Sequence, residues 1–372
     1  MKIENLKKAN VGYTNTPLEF MEKLSKKLGK GNLYIKRDDM SGLALGGNKT
    51  RKLEYLVQYA IDNGYTALMT FGGVQTNHGR LTVAAAVKYG LKPILVLKGK
   101  KPDYLSGNLL LDRLMGADIY FVDYSSAENL PKDERHFAEK KFLQECADKI
   151  VKKYEMQGEK VLSIPVGGQG VIGSAGYAMF VPEIMKQMKE QDITAKYLVC
   201  GYGSTGTFAG LWAGAKYFNA PFEVIGIPIE PDYTPIEDTA KSINEISKFF
   251  DMGFTCKKED IHLEIGNEAI PYGGTNYNEP DIETQKNIEL MASTEAIILD
   301  PCYTGKVFRG FVDLIEKEII PANENAVLLH SGGAPGLFGK EHCDSLQKLL
   351  WSDEEKDHVT VMKLWGVLLC IN

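Results

Sequence analysis

Two kinds of apolar run alternate along this chain. Short unbroken runs have the length and composition of buried strands: Leu33-Tyr34-Ile35-Lys36, Ala67-Leu68-Met69-Thr70-Phe71, Ile94-Leu95-Val96-Leu97, Ile119-Tyr120-Phe121-Val122 and Val161-Leu162-Ser163-Ile164-Pro165-Val166. Tyr197-Leu198-Val199-Cys200, Ala296-Ile297-Ile298-Leu299 and Ala326-Val327-Leu328-Leu329 are of the same kind. Between them, apolar residues recur at helical spacing. Phe20, Leu24 and Leu28 form one such pattern, and Leu53, Leu56, Val57, Ala60 and Ile61 another, which Asn63-Gly64 stops. An Ala-rich helix through Ala84 to Val87 ends at Gly90, and a further helix starts near Phe208. Strands and helices alternating on this spacing predict βαβ units and parallel sheets flanked by helices. In such sheets, ligands bind beyond the carboxyl ends of the strands.

Those ends carry the chemistry. Gly46-Gly47-Asn48-Lys49 precedes the helical pattern from Leu53, so Lys49 sits where a loop enters a helix. The positive helix N-terminus, with Arg51 and Lys52 close by, favours a neutral amine on Lys49, a form competent for Schiff-base chemistry. Gly72 to Arg80, with Gln75-Thr76-Asn77-His78 inside it, follows a buried strand. After another comes Gly201-Tyr202-Gly203-Ser204-Thr205-Gly206-Thr207, a strand, Gly/Ser/Thr turn and helix start suited to a phosphate. This turn lacks the G-x-x-x-x-G-K-[ST] order of a nucleotide P-loop, and its bland reading is a tight strand-to-helix connection. Asp300-Pro301-Cys302-Tyr303-Thr304-Gly305-Lys306 and His330-Ser331-Gly332-Gly333-Ala334-Pro335 close two more runs. One such end is unremarkable; five in one chain point to a common site. By contrast, Arg37-Asp38-Asp39 reads as a solvated strand end, and the Lys-rich Pro131 to Lys160 as one or two exposed helices without chemistry.

Composition narrows the classes. With 372 residues, 44% hydrophobic and 25% charged, the chain is long enough for two globular domains. A formal net charge of −6 gives no nucleic-acid footprint, and no apolar run reaches membrane-spanning length. Met1 to Lys7 lacks an apolar h-region, so no secretory signal is expected there. Six cysteines at 146, 200, 256, 302, 343 and 370 show no CxxC or metal spacing, which predicts reduced core thiols in a cytoplasmic protein and no metal site.

Several motifs together resemble one family: Thr16-Pro17-Leu18-Glu19, Tyr34 to Asp39, Ala44 to Glu54, Gln75 to His78, Ile164 to Gly168, Gly203 to Gly210, Asp300 to Lys306 and His330 to Pro335. They are similar to the D-cysteine desulfhydrase and 1-aminocyclopropane-1-carboxylate (ACC) deaminase family, which depends on pyridoxal 5′-phosphate (PLP). The resemblance implies an α/β, two-domain PLP-dependent fold of the tryptophan-synthase-β type. A larger PLP-binding domain would comprise 1–50 and 164–372, and a smaller inserted one 51–163. It implies Lys49 as Schiff-base lysine and Asn77 on the ring hydroxyl. Lys52 and Ser204, Thr205, Gly206 and Thr207 would hold the phosphate. Tyr303 would lie against the ring, Thr304 would face the pyridine nitrogen, and Ser331 completes the cofactor-binding set. Thr76, Asn77 and His78 would meet a small amino-acid substrate, and Lys49, Thr76, Tyr277 and Tyr303 would form the catalytic set. A homodimer is the family expectation for the assembly.

Position 304 bears on the reaction. ACC deaminases place a glutamate there to keep the pyridine nitrogen protonated, and Thr304 supplies no charge. A weaker electron sink suits β-elimination with a good leaving group. His78, where ACC deaminases typically have glutamine, points the same way. The reading is therefore a β-elimination lyase, with D-cysteine giving pyruvate, sulfide and ammonia. ACC deaminase, a lyase releasing sulfite from cysteate, and a catalytically silent PLP-binding protein are the alternatives. Thr76 in place of serine adds a methyl group expected at the substrate position. Cys302, and the Tyr277-Asn278-Glu279-Pro280 context, also depart from the family pattern.

Overall fold

The computed structural model describes residues 1–29, 31–125, 131–267, 270–350, 360–364 and 367–371. It is built on two sheets. Strand β1 (Leu18–Phe20), helix α1 (Glu22–Leu28) and strand β2 (Leu33–Arg37) open the chain. Helix α2 (Lys49–Asp62) leads to β3 (Ala67–Gly73), and α3 (Asn77–Lys88) to β4 (Lys92–Lys98). Helix α4 (Gly107–Leu114), β5 (Asp118–Val122), α5 (Lys132–Glu155) and β6 (Val161–Ile164) complete a four-stranded sheet, order β5-β4-β3-β6, with every pairing parallel.

The second sheet has six strands. After α6 (Val171–Ala178) and α7 (Phe180–Glu190) come β7 (Tyr197–Tyr202), α8 (Gly206–Tyr217), β8 (Glu223–Pro228), α9 (Ile236–Phe249) and β9 (His262–Leu263). A short ribbon of β10 (Gly266–Asn267) and β11 (Ile270–Pro271) precedes α10 (Ile282–Glu295), α11 (Thr304–Glu316), β12 (Ala326–His330) and α12 (Lys340–Leu350). The order is β1-β2-β12-β7-β8-β9, and only β1 runs antiparallel to its neighbour. Strand β12 is buried along its whole length, as a strand covered on both faces must be. Among the described residues, no helix is long and apolar enough to cross a membrane.

Three helices bring the site together by close backbone approach. A Cβ at Gly176 of α6 would lie 2.3 Å from the Arg51 carbonyl oxygen of α2, and one at Gly210 of α8 would lie 2.4 Å from the Ser174 carbonyl oxygen of α6. Glycine is the residue that permits such contact. It sets the N-terminus of α2, with Lys49 and Lys52, against the N-terminus of α8.

Four local expectations change. Phe20 belongs to β1, and the helix begins at Glu22. Ala296 to Leu299 forms no strand: Ile297 and Leu299 are buried and Ile298 is exposed, yet β12 already has β2 and β7 on its two edges, leaving that segment no ladder. Asp38 is fully buried, not solvated, because the Arg51 guanidinium meets it at 2.8 Å and Tyr177 Oη at 2.5 Å. The Lys-rich segment forms a helix as expected, the 24-residue α5, but not a wholly exposed one, since it buries Ala147, Ile150 and Tyr154 against β3 and β4. Five cysteines are free thiols; Cys370 has no described side chain.

Candidate active site

A cavity of about 400 Å³ opens between the carboxyl ends of the two sheets. It gathers Lys49, Thr76, Asn77, His78, Ser204 and Thr205, with Thr207, Tyr277, Tyr303 and Ser331 completing the predicted residues that line it. Lys52, Gly206 and Thr304 stand behind this lining.

Lys49 is the first residue of α2, and its Nζ donates to Asn48 Oδ1 at 3.0 Å. Its amine is pushed down to about 8, by burial first and by the Arg80 guanidinium, against the pull of Asp300. The expected role of Arg51 in this shift is not seen, because that side chain turns away to Asp38 and Glu183. Arg80 was not singled out from the sequence. Fully buried, it donates to the carbonyls of Ala44 and of Gly46, the latter at 3.0 Å, and to Asn108 Oδ1 at 2.7 Å. Ala44, Leu45, Gly46 and Gly47 all have positive φ, a strained run for the two non-glycine residues. Arg80 thus holds the loop that delivers Lys49.

Opposite lies the anion cradle. Thr205 adopts a left-handed φ of 59° before the first turn of α8, whose N–H groups face the cavity end. The Lys52 amine is wholly buried, and among the described residues its one hydrogen bond goes to the Gly167 carbonyl at 2.9 Å. Burial, and then Lys49, hold its pKa well below the ordinary value. A Cβ at Gly206 would lie 3.0 Å from Lys52 Nζ, and one at Gly167 only 2.0 Å from Ser204 Oγ. A buried amine without a carboxylate, beside a helix N-terminus, is what a phosphate dianion satisfies and charges. Thr207 Oγ1 accepts from Asn48 Nδ2 at 3.0 Å, tying the cradle to the lysine's neighbour.

Between cradle and lysine stand the ring partners. Asn108 Nδ2 donates to Asn77 Oδ1 at 3.0 Å, leaving the Asn77 amide donors for a ligand. The hydroxyls of Tyr277 and Tyr303 hydrogen-bond at 2.5 Å with edge-on rings, and burial raises both phenols well above their usual range. The donor set of an amine, an amide and a phosphate cradle therefore fits PLP. Thr304 does not reach the cavity. Its Oγ1 donates to Asp300 Oδ1 at 2.7 Å and accepts from the Asp300 N–H at 2.8 Å, so its hydroxyl is spent on the turn before α11. Ser331 is the hydroxyl residue at the cavity wall on that side.

On the substrate side, His78 is buried and neither ring nitrogen makes a hydrogen bond of normal geometry. Burial, then Lys49 and Lys52, keep it neutral. Thr76 caps α3, its Oγ1 accepting from the Gly79 N–H at 3.1 Å. Its additional methyl does not project toward substrate: Cβ atoms at Gly79 and Gly72 would lie 2.4 and 2.9 Å from Thr76 Cγ2, so the two glycines house it. Phe71, Val96, Lys98, Tyr124, Glu139, Leu143 and Glu230 also line the cavity. Glu139 and Leu143 come from α5, to which the sequence had assigned no chemistry.

The comparisons with known proteins agree with this geometry. A family model described as "Pyridoxal-phosphate dependent enzyme" matches residues 9–332. A Thermotoga maritima protein provisionally named 1-aminocyclopropane-1-carboxylate deaminase is 37% identical over 87% of this chain and 96% of its own. The 1-aminocyclopropane-1-carboxylate deaminase of Rhizobium leguminosarum bv. viciae is 32% identical over 91% of this chain and 97% of its own. A solved structure described as an ACC deaminase homologue superposes with a TM-score of 0.79 at 32% identity, covering 94% of this chain and 98% of that one.

Proposed function

Because this chain belongs to the pyridoxal-phosphate dependent enzyme family, within the branch of the ACC deaminases, we propose that it is a lyase eliminating the β-substituent of a small amino acid, D-cysteine first. One observation carries the reading. A lysine amine lowered to about 8 faces, across one cavity, a buried phosphate cradle and an unpaired amide donor. Lys49, Asn77, the Ser204 to Thr207 turn and Lys52 would hold PLP. When bound, PLP supplies an electron sink for the bond broken at the α-carbon.

The chain's own residues do the rest. Lys49, half neutral at its lowered pKa of about 8, takes the α-proton as general base. Thr76 to His78 receive the substrate carboxylate at the N-terminus of α3, whose partial positive charge favours an anion. The phenols of Tyr277 and Tyr303 stay protonated and stand ready to protonate the leaving sulfur. Released aminoacrylate hydrolyses in water to pyruvate and ammonia.

With Thr304 turned to Asp300, the residue at the cavity wall on that side is Ser331, also uncharged, and a neutral group there supports elimination. The names of the curated relatives support the second reading, ring opening of ACC, more directly than they support D-cysteine. The test is product release from the PLP-loaded protein with D-cysteine, L-cysteine, β-chloro-D-alanine, cysteate and ACC side by side. Pyruvate with sulfide from D-cysteine is expected. 2-Oxobutanoate from ACC alone would establish the second reading.

We also propose the division into 1–50 with 164–372, and 51–163. Its support is that the four-stranded sheet draws only on residues 67–164, and the six-stranded sheet only on residues outside that span.

A further inference from the structure

The cavity is longer than a cysteine needs. Thr76, Asn77 and His78, which receive the substrate carboxylate in the reading above, follow β3. From there the lining continues across the sheet: Phe71 at the end of β3, Val96 near the end of β4, then Tyr124 just past the end of β5. Neighbouring strands lie about 4.8 Å apart, so Tyr124 stands about 10 Å across the sheet from β3. A cysteine thiol is two bonds from its Cα, and the ACC ring is no longer. Neither reaches this outer wall.

The outer wall is built. Val96 and Tyr124 are buried, and Leu143 of α5 covers them from above. At the far end Lys98 Nζ pairs with Glu139 at 2.6 Å and sits 5.2 Å from the Tyr124 ring centre. That lysine is neutralised by its partner. Glu230, half-buried, adds a second carboxylate to the lining. Two carboxylates against one paired lysine disfavour an anionic substituent such as the sulfonate of cysteate. An apolar wall disfavours a free polar one.

We infer that this outer arm takes the apolar S-substituent of a thioether amino acid, so that the enzyme acts on S-alkyl- or S-arylcysteines in preference to cysteine. The inference rests on the elimination reading. The chemistry balances with water alone. Lys49 removes the α-proton, the C–S electron pair leaves with sulfur, and sulfur takes a proton to become a free thiol. Water hydrolyses the aminoacrylate to pyruvate and ammonia, and no oxidant or reductant is consumed. The apolar group stays in contact with Phe71, Val96, Tyr124 and Leu143 until the thiol departs, so its burial contributes to binding.

The PLP-loaded protein would be given S-benzyl-, S-methyl- and unsubstituted cysteine, in both enantiomers, with cysteate. Pyruvate and thiol release give kcat/KM; titration of the visible spectrum of bound PLP gives an apparent Kd that does not depend on turnover. The expected result is a kcat/KM for S-benzylcysteine at least tenfold above that for cysteine, with a lower apparent Kd. Leu143→Glu, which places charge in the arm, and Leu143→Trp, which fills it, should each cut that ratio at least tenfold. Retained PLP absorbance would show that both variants are folded. Turnover of cysteine with S-benzylcysteine disfavoured, or a ratio that neither variant moves, overturns the inference and leaves the elimination reading intact. No elimination from any of these compounds, with PLP bound, overturns both.

Discussion

Arg51 meets Asp38 through two nitrogens, Nε and Nη2, each at 2.8 Å from a carboxylate oxygen, and both residues are buried. Two residues before Arg51 stands Lys49. The ion pair therefore clamps the first turn of α2 to the end of β2, and Thr16 and Tyr177 donate to the same carboxylate. Asp38→Ala should destabilise the protein by about 1.5–3 kcal/mol, since it removes charge-assisted hydrogen bonds while Glu183 still pairs the Arg51 guanidinium; urea unfolding measures this. The Arg51 guanidinium and the Tyr177 hydroxyl hold the Asp38 carboxyl below its ordinary value despite burial. Its contribution is thus fully present above the unfolded carboxylate's pKa and is lost as pH falls through the lower folded value. An acid titration of wild type against Asp38→Ala should converge at low pH.

Lys49 should capture the cofactor at lower pH than an ordinary lysine. With its amine near 8, the rate of PLP incorporation into the cofactor-free protein should rise through about pH 8 and level off above it. A surface lysine would show its rise near pH 10.4. Absorbance of bound PLP follows the reaction. Lys49→Ala should abolish both that absorbance and turnover.

The cradle predicts a split between PLP and pyridoxal. Lys52→Met removes a buried amine that has one carbonyl for company. PLP affinity should fall about 10- to 100-fold, the worth of a charge-assisted hydrogen bond. Pyridoxal, which lacks the phosphate, should lose much less. Stability of the cofactor-free protein should not fall, because a buried amine with a single carbonyl partner, whose charged form burial disfavours, has been taken out. A fall in stability without a change in PLP affinity would assign Lys52 to the scaffold.

Gly167 has a φ of 69°, and a Cβ there meets Ser204 Oγ at 2.0 Å. Gly167→Ala should cost about 1–2 kcal/mol from the backbone alone and push Ser204 out of the cradle. Thermal unfolding and PLP titration would both register it. An unchanged PLP affinity would show that Ser204 does not hold the phosphate.

Much of this architecture could be read from the chain because its strands are buried on both faces. Runs such as Ala67 to Phe71 and Ala326 to Leu329 have no other low-energy use. The cavity's inner wall was legible for a related reason: glycine, lysine and hydroxyl residues collect where those runs end. Ala296 to Leu299 misled because its composition suits a strand while its place in the fold offers no edge to pair with. Asp38 and Arg80 escaped because a buried charge looks like a solvated one until its partner, 13 residues away for Asp38, is brought beside it. Glu139 and Leu143 escaped because a helix rich in lysine and glutamate carries no mark of the one face that meets a cavity. Thr304 shows the limit of reading by position, since its hydroxyl serves Asp300 in the structure.

Strand β2 lies between β1 and β12 in the six-stranded sheet, yet β12 follows it in the chain by nearly three hundred residues. During synthesis at about 5–20 residues per second, the inner edge of β2 therefore waits roughly 15–60 s for its partner to leave the ribosome. The four-stranded sheet closes on itself within residues 67–164 and has no such wait. The order of maturation thus departs from the order along the polypeptide: the middle matures first, and β2, made second, is among the last strands to complete its pairing. Until then its open edge is the segment of the nascent chain most in need of a chaperone.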